Sequence, residues 1–267
     1  MSGVLAGRGL DQPRVSALTA HLLGGGRAHE RNRHYARSTS GALAEATLEE
    51  ESAHGYLPLG VSASIWRCRA TVGEAMAEVT NVGPSDAARA ISTLVLAFAA
   101  DPHLRWVYPE PDAYLTHFPD VLQTFAGAAF AGDTVWQSGD LAAVALWLPP
   151  GAEPDGDATI AKFQASTDPG KIDDLMAVFA QMDEAHPSTP HWYLAWIGVD
   201  PVHQGHGFGS VVMNRSLRII DGDHLPAYLD TPNPRSVPFY ERHGFAVIGE
   251  WAAGDCPPVV SLLRPAR

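Results

Sequence analysis

A glycine-rich turn, set between an apolar run and an amphipathic segment, constrains this chain more than any other feature. The apolar run at residues 192–199 predicts a strand, and residues 210–220 predict a helix because apolar or small side chains recur on one face. That face consists of Val212, Met213, Ser216, Leu217 and Ile220. Gly205, Gly207 and Gly209 lie between the two elements. Such a turn presents backbone N–H groups at the positive end of a helix dipole, and this arrangement binds phosphate.

Two common phosphate-binding motifs do not match this turn. A P-loop closes with Gly-Lys and then Ser or Thr, whereas the lysines of this chain are Lys162 and Lys171. The dinucleotide fingerprint has glycines spaced G-x-G-x-x-G, but the spacing here is G-x-G-x-G. Too few residues follow Gly209 to hold a doubly wound dinucleotide domain. The two alternatives are then a site for a phosphate compound of another kind and a purely structural turn.

The spacing Q-x-x-G-x-G of residues 204–209 resembles the acyl-CoA pyrophosphate loop of the GNAT superfamily of N-acetyltransferases. The similarity continues on both sides, since residues 199–201 resemble the strand end before that loop and residues 233–245 resemble the N-x-x-x-x-x-F-Y-E-x-x-G-F segment. The phrases PFYERHGF and LAAVALWLPPG are most similar to the puromycin N-acetyltransferase type. The resemblance covers residues 77–267 and implies a GNAT-like α+β fold. We therefore expect a mixed, mostly antiparallel central sheet of six to seven strands, flanked by helices, with a splay between the two central strands.

Local patterns along the chain agree with a single α+β domain at residues 76–267. They predict strands at residues 77–82, 134–137, 142–148, 192–199, 226–230, 245–251 and 259–263. They predict helices at residues 87–99, 114–130, 172–184 and 210–220, with another that begins near Ser236. Residues 1–75 show little periodicity, and we expect a disordered extension or a non-native start upstream of Met76, with a transit peptide as the alternative.

The resemblance implies acetyl-CoA as the co-substrate and assigns residues to its parts. The loop would bind the pyrophosphate, and the backbone of the strand before it would bind the pantetheine arm. The predicted cofactor-binding residues are Ile197, Val199, Gln204, Gly205, His206, Gly207, Phe208, Gly209, Ser210, Asn233 and Phe239. For Asn233, a role as a helix cap beside Pro234 is an equal alternative.

The resemblance also points to the catalytic residues. Tyr240 matches the general-acid tyrosine of the family, which would protonate the departing thiolate. The general base is less defined: Asp230 is the first candidate, Glu184, His186 and His191 are further ones, and an ordered water relay is the alternative. Cys68 and Cys256 lie outside the motifs, so direct attack by the amine is favoured over an acyl-enzyme.

Composition limits the remaining functions. The formal net charge is −12, and residues 79–267 hold ten basic and 22 acidic residues. This balance argues against nucleic-acid binding and favours cationic substrates, although ordinary solubility explains it equally well. The sequence predicts no membrane segment, no metal site and a reduced, cytoplasmic setting. We expect an N-acetyltransferase for a small-molecule amine, as a monomer or homodimer. The alternatives are a non-catalytic acyl-CoA-binding module and a protein N-acetyltransferase.

Overall fold

The structure, a computed structural model, describes residues 78–267, so the prediction for residues 1–75 lies outside the described residues. The strands are β1 (Val79–Asn81), β2 (Val135–Ser138), β3 (Ala143–Leu148), β4 (Trp192–Val199), β5 (Ala227–Thr231), β6 (Ala246–Trp251) and β7 (Val259–Arg264). The helices are α1 (Ala87–Ala97), α2 (Pro102–Val107), α3 (Pro111–Ala131), α4 (Gly156–Ser166), α5 (Ile172–Ala185), α6 (Phe208–Ile220) and α7 (Val237–Arg242).

These strands form one sheet in the order β1-β2-β3-β4-β5-β7-β6. Every neighbouring pair is antiparallel except β4 and β5, which are parallel. Helices flank the sheet on both faces. The predicted α+β fold with a mostly antiparallel sheet is confirmed.

Alternate residues of β3 divide the interior into two cores, because successive side chains of a strand point to opposite faces. Val144, Leu146 and Leu148 pack with buried residues of α1 to α5, and we call this side the α1–α5 face. Ala143, Ala145 and Trp147 pack with α6 and with Tyr240 of α7, and we call this side the α6–α7 face. The whole of β3 is buried, which fixes the centre of the sheet.

The central strands separate soon after they meet. β5 pairs with β4 only through Trp192 and Tyr193, while β4 continues to Val199. On its other side β4 remains paired with β3, but one extra residue, Ala195, is inserted between the partners of Leu146 and Trp147. This β-bulge bends the strand and shifts its alternation. The predicted splay is therefore present between β4 and β5.

Two helices were not predicted from the sequence, α2 and α4. Both are short and have an aspartate N-cap: Asp101 accepts from the N–H groups of His103 and Leu104, and Asp155 accepts from that of Ala158. An aspartate immediately before a helical turn was the signal available in the sequence. Both helices lie on the α1–α5 face and contribute to its core.

Gly139, in the turn between β2 and β3, packs against the start of α6. Its φ is +66°, and a β-carbon there would lie 2.3 Å from Cε1 of Phe208, whose ring is buried. We expect Gly139→Ala to lower the free energy of unfolding by about 2–4 kcal/mol, from backbone strain and overpacking together.

Gly151→Ala is the matched control for this prediction in urea denaturation. Gly151 also has a positive φ, +82°, but a β-carbon there would meet nothing within 4 Å beyond its chain neighbours. Gly151→Ala should lower the free energy of unfolding by the backbone-strain contribution alone, about 1–2 kcal/mol. Equal losses in the two variants would contradict the contact between the turn and Phe208.

Candidate active site

The splay leaves one edge of β4 without a partner strand. The N–H of Asp200 donates to the carbonyl of Ala142, which directs that residue's backbone towards β3. Because backbone groups alternate along an antiparallel strand, those of Val199 and Ile197 point the other way, towards the splay. The carbonyl of Val199 accepts from Nε2 of Gln204 at 3.1 Å. The two residues predicted to bind the pantetheine arm thus present backbone groups at the open edge.

The glycine loop follows this edge directly. Gly205 and Gly207 have φ values of +76° and +90°, which favour glycine. Gly207 is the N-cap of α6, and its carbonyl accepts from the N–H of Val211. The N–H groups in the first turn of α6 are those that a helix start leaves without intrahelical partners. A β-carbon at Gly209 would lie 3.2 Å from Val199 and 3.7 Å from Phe239, so the loop is seated against both β4 and α7.

Side chains of the loop have unequal access to a ligand. His206 is exposed, and its Nδ1 lies 3.3 Å from the carbonyl of His203. Ser210 is half-buried in the first turn of α6. Phe208 is turned into the α6–α7 core, so only its backbone faces outward. The loop thus offers mainly main-chain N–H donors, the kind of group that binds a phosphate at a helix N-terminus.

Tyr240 lies on α7, on the α6–α7 face. Its ring is buried and contacts that of Phe239, with centroids 5.3 Å apart. Phe239 therefore connects Tyr240 to the glycine loop. Burial holds the pKa of Tyr240 well above its usual range, although a hydrogen bond with the Thr231 side chain opposes the shift. The phenol accordingly stays protonated at neutral pH, as a proton donor must.

Asp230 precedes Thr231 on β5 and points to the opposite face of the sheet. Its Oδ1 accepts from the hydroxyls of Tyr228 at 2.7 Å and Ser261 at 2.5 Å. Trp251 Nε1 donates in turn to Ser261 at 2.6 Å. Within residues 78–267 both hydrogen bonds end on Oδ1, so Oδ2 is the oxygen left to accept a proton. Burial raises the pKa of Asp230 to about 6, in the range of a general base.

Aromatic rings surround this carboxylate. The Tyr193 and Tyr228 rings lie 5.9 Å apart, and His186 contacts both, at 5.1 and 4.7 Å. Burial, together with the neighbouring His191, lowers the pKa of His186 to about 4, so His186 is neutral at pH 7. His191 approaches it with the two Nε2 atoms 2.9 Å apart. Neither histidine is hydrogen-bonded to Asp230.

The other predicted residues occupy peripheral positions. Glu184 is exposed near the end of α5. Oδ1 of Asn233 accepts from the N–H of Arg235, so this side chain caps the turn before α7. That is the structural alternative named for Asn233. Its amide nitrogen is not used by that cap.

Asp101 is a candidate that the sequence analysis missed. It is 5% exposed on the α1–α5 side, yet after burial it is a further cause of the raised pKa of Tyr240. Burial also raises the pKa of Asp101 itself, against the two backbone N–H groups that it caps. The negative charge of Asp101, at the α1–α2 connection, therefore acts on Tyr240 through space.

Across residues 78–267, no three or more His, Cys, Asp or Glu side chains gather as a metal site would require. In the same part of the chain, no helix has the length and apolar character needed to cross a membrane.

Comparison with known proteins agrees with this geometry. The model of the Acetyltransferase (GNAT) family matches residues 108–245, just over half of the chain. This match spans β4, the glycine loop and Tyr240. The chain therefore belongs to the GNAT acetyltransferase family, which uses acetyl-CoA as its co-substrate.

Individual relatives are distant. An uncharacterised N-acetyltransferase of Schizosaccharomyces pombe is 25% identical over 178 residues, or 61% of this chain and 72% of that protein. A crystal structure described as histone acetyltransferase HPA2 and related acetyltransferase from Corynebacterium glutamicum is 24% identical, with a TM-score of 0.51 over 71% of this chain and 96% of that one. A polyamine N-acetyltransferase of Drosophila melanogaster is 16% identical, with a TM-score of 0.51 over 70% and 98%. These two structures share the fold with this chain.

Proposed function

We propose that this protein transfers the acetyl group of acetyl-CoA to the amine of a small molecule by direct nucleophilic attack. The observation that carries the proposal is the unpaired edge of β4 between the glycine loop and the end of β5. An amide-rich pantetheine arm would complete this edge as an added strand, bonding to Ile197 and Val199. The loop would then bind the pyrophosphate through the start of α6.

The proposed acid and the proposed base lie on opposite faces of the sheet. Tyr240 lies on the α6–α7 face beside Phe239 and the loop, and in this proposal it protonates the departing thiolate. Asp230 lies on the α1–α5 face, and its Oδ2 takes the proton of the attacking amine. A primary ammonium ion has a pKa of about 10.4, so a base or desolvation is needed to expose its lone pair near neutral pH. The amine would therefore approach from the α1–α5 face.

Turnover with a panel of amines tests this function. Free thiol release from acetyl-CoA is measured with puromycin, aryl- and alkylamines, and peptides, and products are identified by mass spectrometry. Thiol release matched by an acetylated small amine is expected. Puromycin belongs in the panel because residues 238–245 resemble that subtype.

Other outcomes would favour the competing functions. Acetyl-CoA binding without thiol release across the panel would favour a non-catalytic acyl-CoA-binding module. Acetylation of peptides alone would favour a protein N-acetyltransferase. A cytoplasmic monomer or homodimer completes the proposal, and light scattering distinguishes those two states.

A further inference from the structure

The carboxylate that faces the amine side of the cleft has no cationic partner among the described residues. The salt bridges within residues 78–267 do not include Asp230. Its pKa is raised by burial and lowered by hydrogen bonds from two hydroxyl groups. Asp101, buried at the α1–α2 connection, accepts hydrogen bonds from the backbone N–H groups of His103 and Leu104. Arg105 of α2 donates to the carbonyl of Pro109 instead. A buried carboxylate without a counter-ion is costly unless a ligand supplies one.

Aromatic side chains line the same side of the splay. Tyr193 and Tyr228 lie beside Asp230, as described above. Beyond the bulge, Trp196 is half-buried, and three phenylalanine rings meet it edge-on. These are Phe98 at 5.1 Å, Phe118 at 5.5 Å and Phe125 at 5.5 Å. Rings of this kind attract ammonium ions and cover apolar groups.

From this arrangement we infer that the acceptor is a primary ammonium ion with an apolar or aromatic body and no carboxylate. Asp230 Oδ2 binds the ammonium group between the tyrosine rings, and Trp196 contacts the body. The inference rests on the proposed transferase function and narrows its substrate class. An amine that carries its own carboxylate would bring a second negative charge to Asp230, which forms no salt bridge among the described residues.

Three ligands that share one carbon skeleton separate the effect of the positive charge from the effect of an added carboxylate. Phenethylamine is a cation, 2-phenylethanol is its neutral counterpart, and L-phenylalanine adds a carboxylate. Their dissociation constants are measured by calorimetry with the full chain saturated with CoA. We expect phenethylamine to bind about tenfold more tightly than 2-phenylethanol and about 100-fold more tightly than L-phenylalanine, since like charges in a desolvated site repel strongly.

Variants assign these preferences to residues. Asp230→Asn should bring phenethylamine and 2-phenylethanol to nearly equal affinity. Asp120→Asn is the matched control, because that carboxylate is exposed on α3 and paired with Lys162. Trp196→Ala should weaken phenethylamine and 2-phenylethanol by similar factors, because it removes contact with the body and not with the charge.

The results distinguish this inference from the function on which it rests. If L-phenylalanine binds as tightly as phenethylamine, or if Asp230→Asn leaves the cation preference unchanged, the substrate class is wrong. Thiol release with carboxylate-bearing amines would then keep the transferase function while overturning the inference. If no ligand of the three binds and no amine of the panel is acetylated, both fail.

Discussion

Tyr240→Phe is expected to lower kcat by about 10²- to 10³-fold, because a general acid contributes about this much to a rate. The buried phenol stays protonated far above neutral pH, so it holds the proton that the proposed transfer to the leaving thiolate requires. The ring and its contact with Phe239 remain in the variant. The dissociation constant of acetyl-CoA should therefore change by less than about twofold. Single-turnover kinetics and cofactor titration measure the two effects separately.

Tyr108→Phe is the matched control for the loss of a buried hydroxyl. The Tyr108 hydroxyl lies 2.8 Å from Ser166 Oγ, in the core of the α1–α5 face. Its removal should affect stability and leave the chemical step nearly unchanged. If Tyr240→Phe instead abolished cofactor binding and left the rate per bound complex intact, the acid role would be wrong.

Asp230→Asn is expected to produce a loss of similar size, about 10²- to 10³-fold in kcat, and to change the pH dependence of kcat/KM. Because burial raises the pKa of Asp230 in the free protein to about 6, the base form is lost as pH falls through 6 and dominates above it. The kcat/KM of the native protein for the amine should rise as pH increases through this value and then level off, since this ratio reports the free enzyme. The amide cannot ionise, so the pH profile of the variant should lack this rising limb.

Glu184→Gln provides the comparison for the base assignment. Glu184 was a further candidate but is exposed near the end of α5, so this variant should retain the native rate and pH limb. A loss in Glu184→Gln, together with an unchanged limb in Asp230→Asn, would transfer the base role. The kcat/KM for the amine is measured with saturating acetyl-CoA between about pH 5 and 9, a range that brackets the titration of a carboxyl with a raised pKa.

The strand, loop and helix at residues 192–220 were predictable because their determinants are local. Glycines that adopt positive φ, an apolar run and a helical repeat all lie within one short segment. The structure has β4, the turn and α6 at these positions, with α6 beginning at Phe208. The seven-strand sheet followed from the family resemblance and from alternating apolar residues.

The environment of the candidate base was not predictable. Ser261 and Trp251 reach Asp230 through the pairing of β5, β7 and β6, which no local pattern specifies. The same holds for Asp101, which caps a six-residue helix and influences the pKa of Tyr240 only in the folded chain. Short helices depend on tertiary packing, so their own propensity gives a weak signal.

The extra residue in β4 makes the length of this strand a functional constraint. Before Ala195, Trp192 and Leu194 pack on the α6–α7 face; beyond it, Ile197 and Val199 return to that face because the insertion resets the alternation. Deletion of Ala195 would leave Ile197 and Val199 opposite Ala145 and Ala143 on the same face, but it would remove the bulge that bends the strand. Substitutions along β4 change what lines the cleft, whereas loss of the extra residue would change how β4 bends beside β5. The family site thus depends on residue count as well as on residue type.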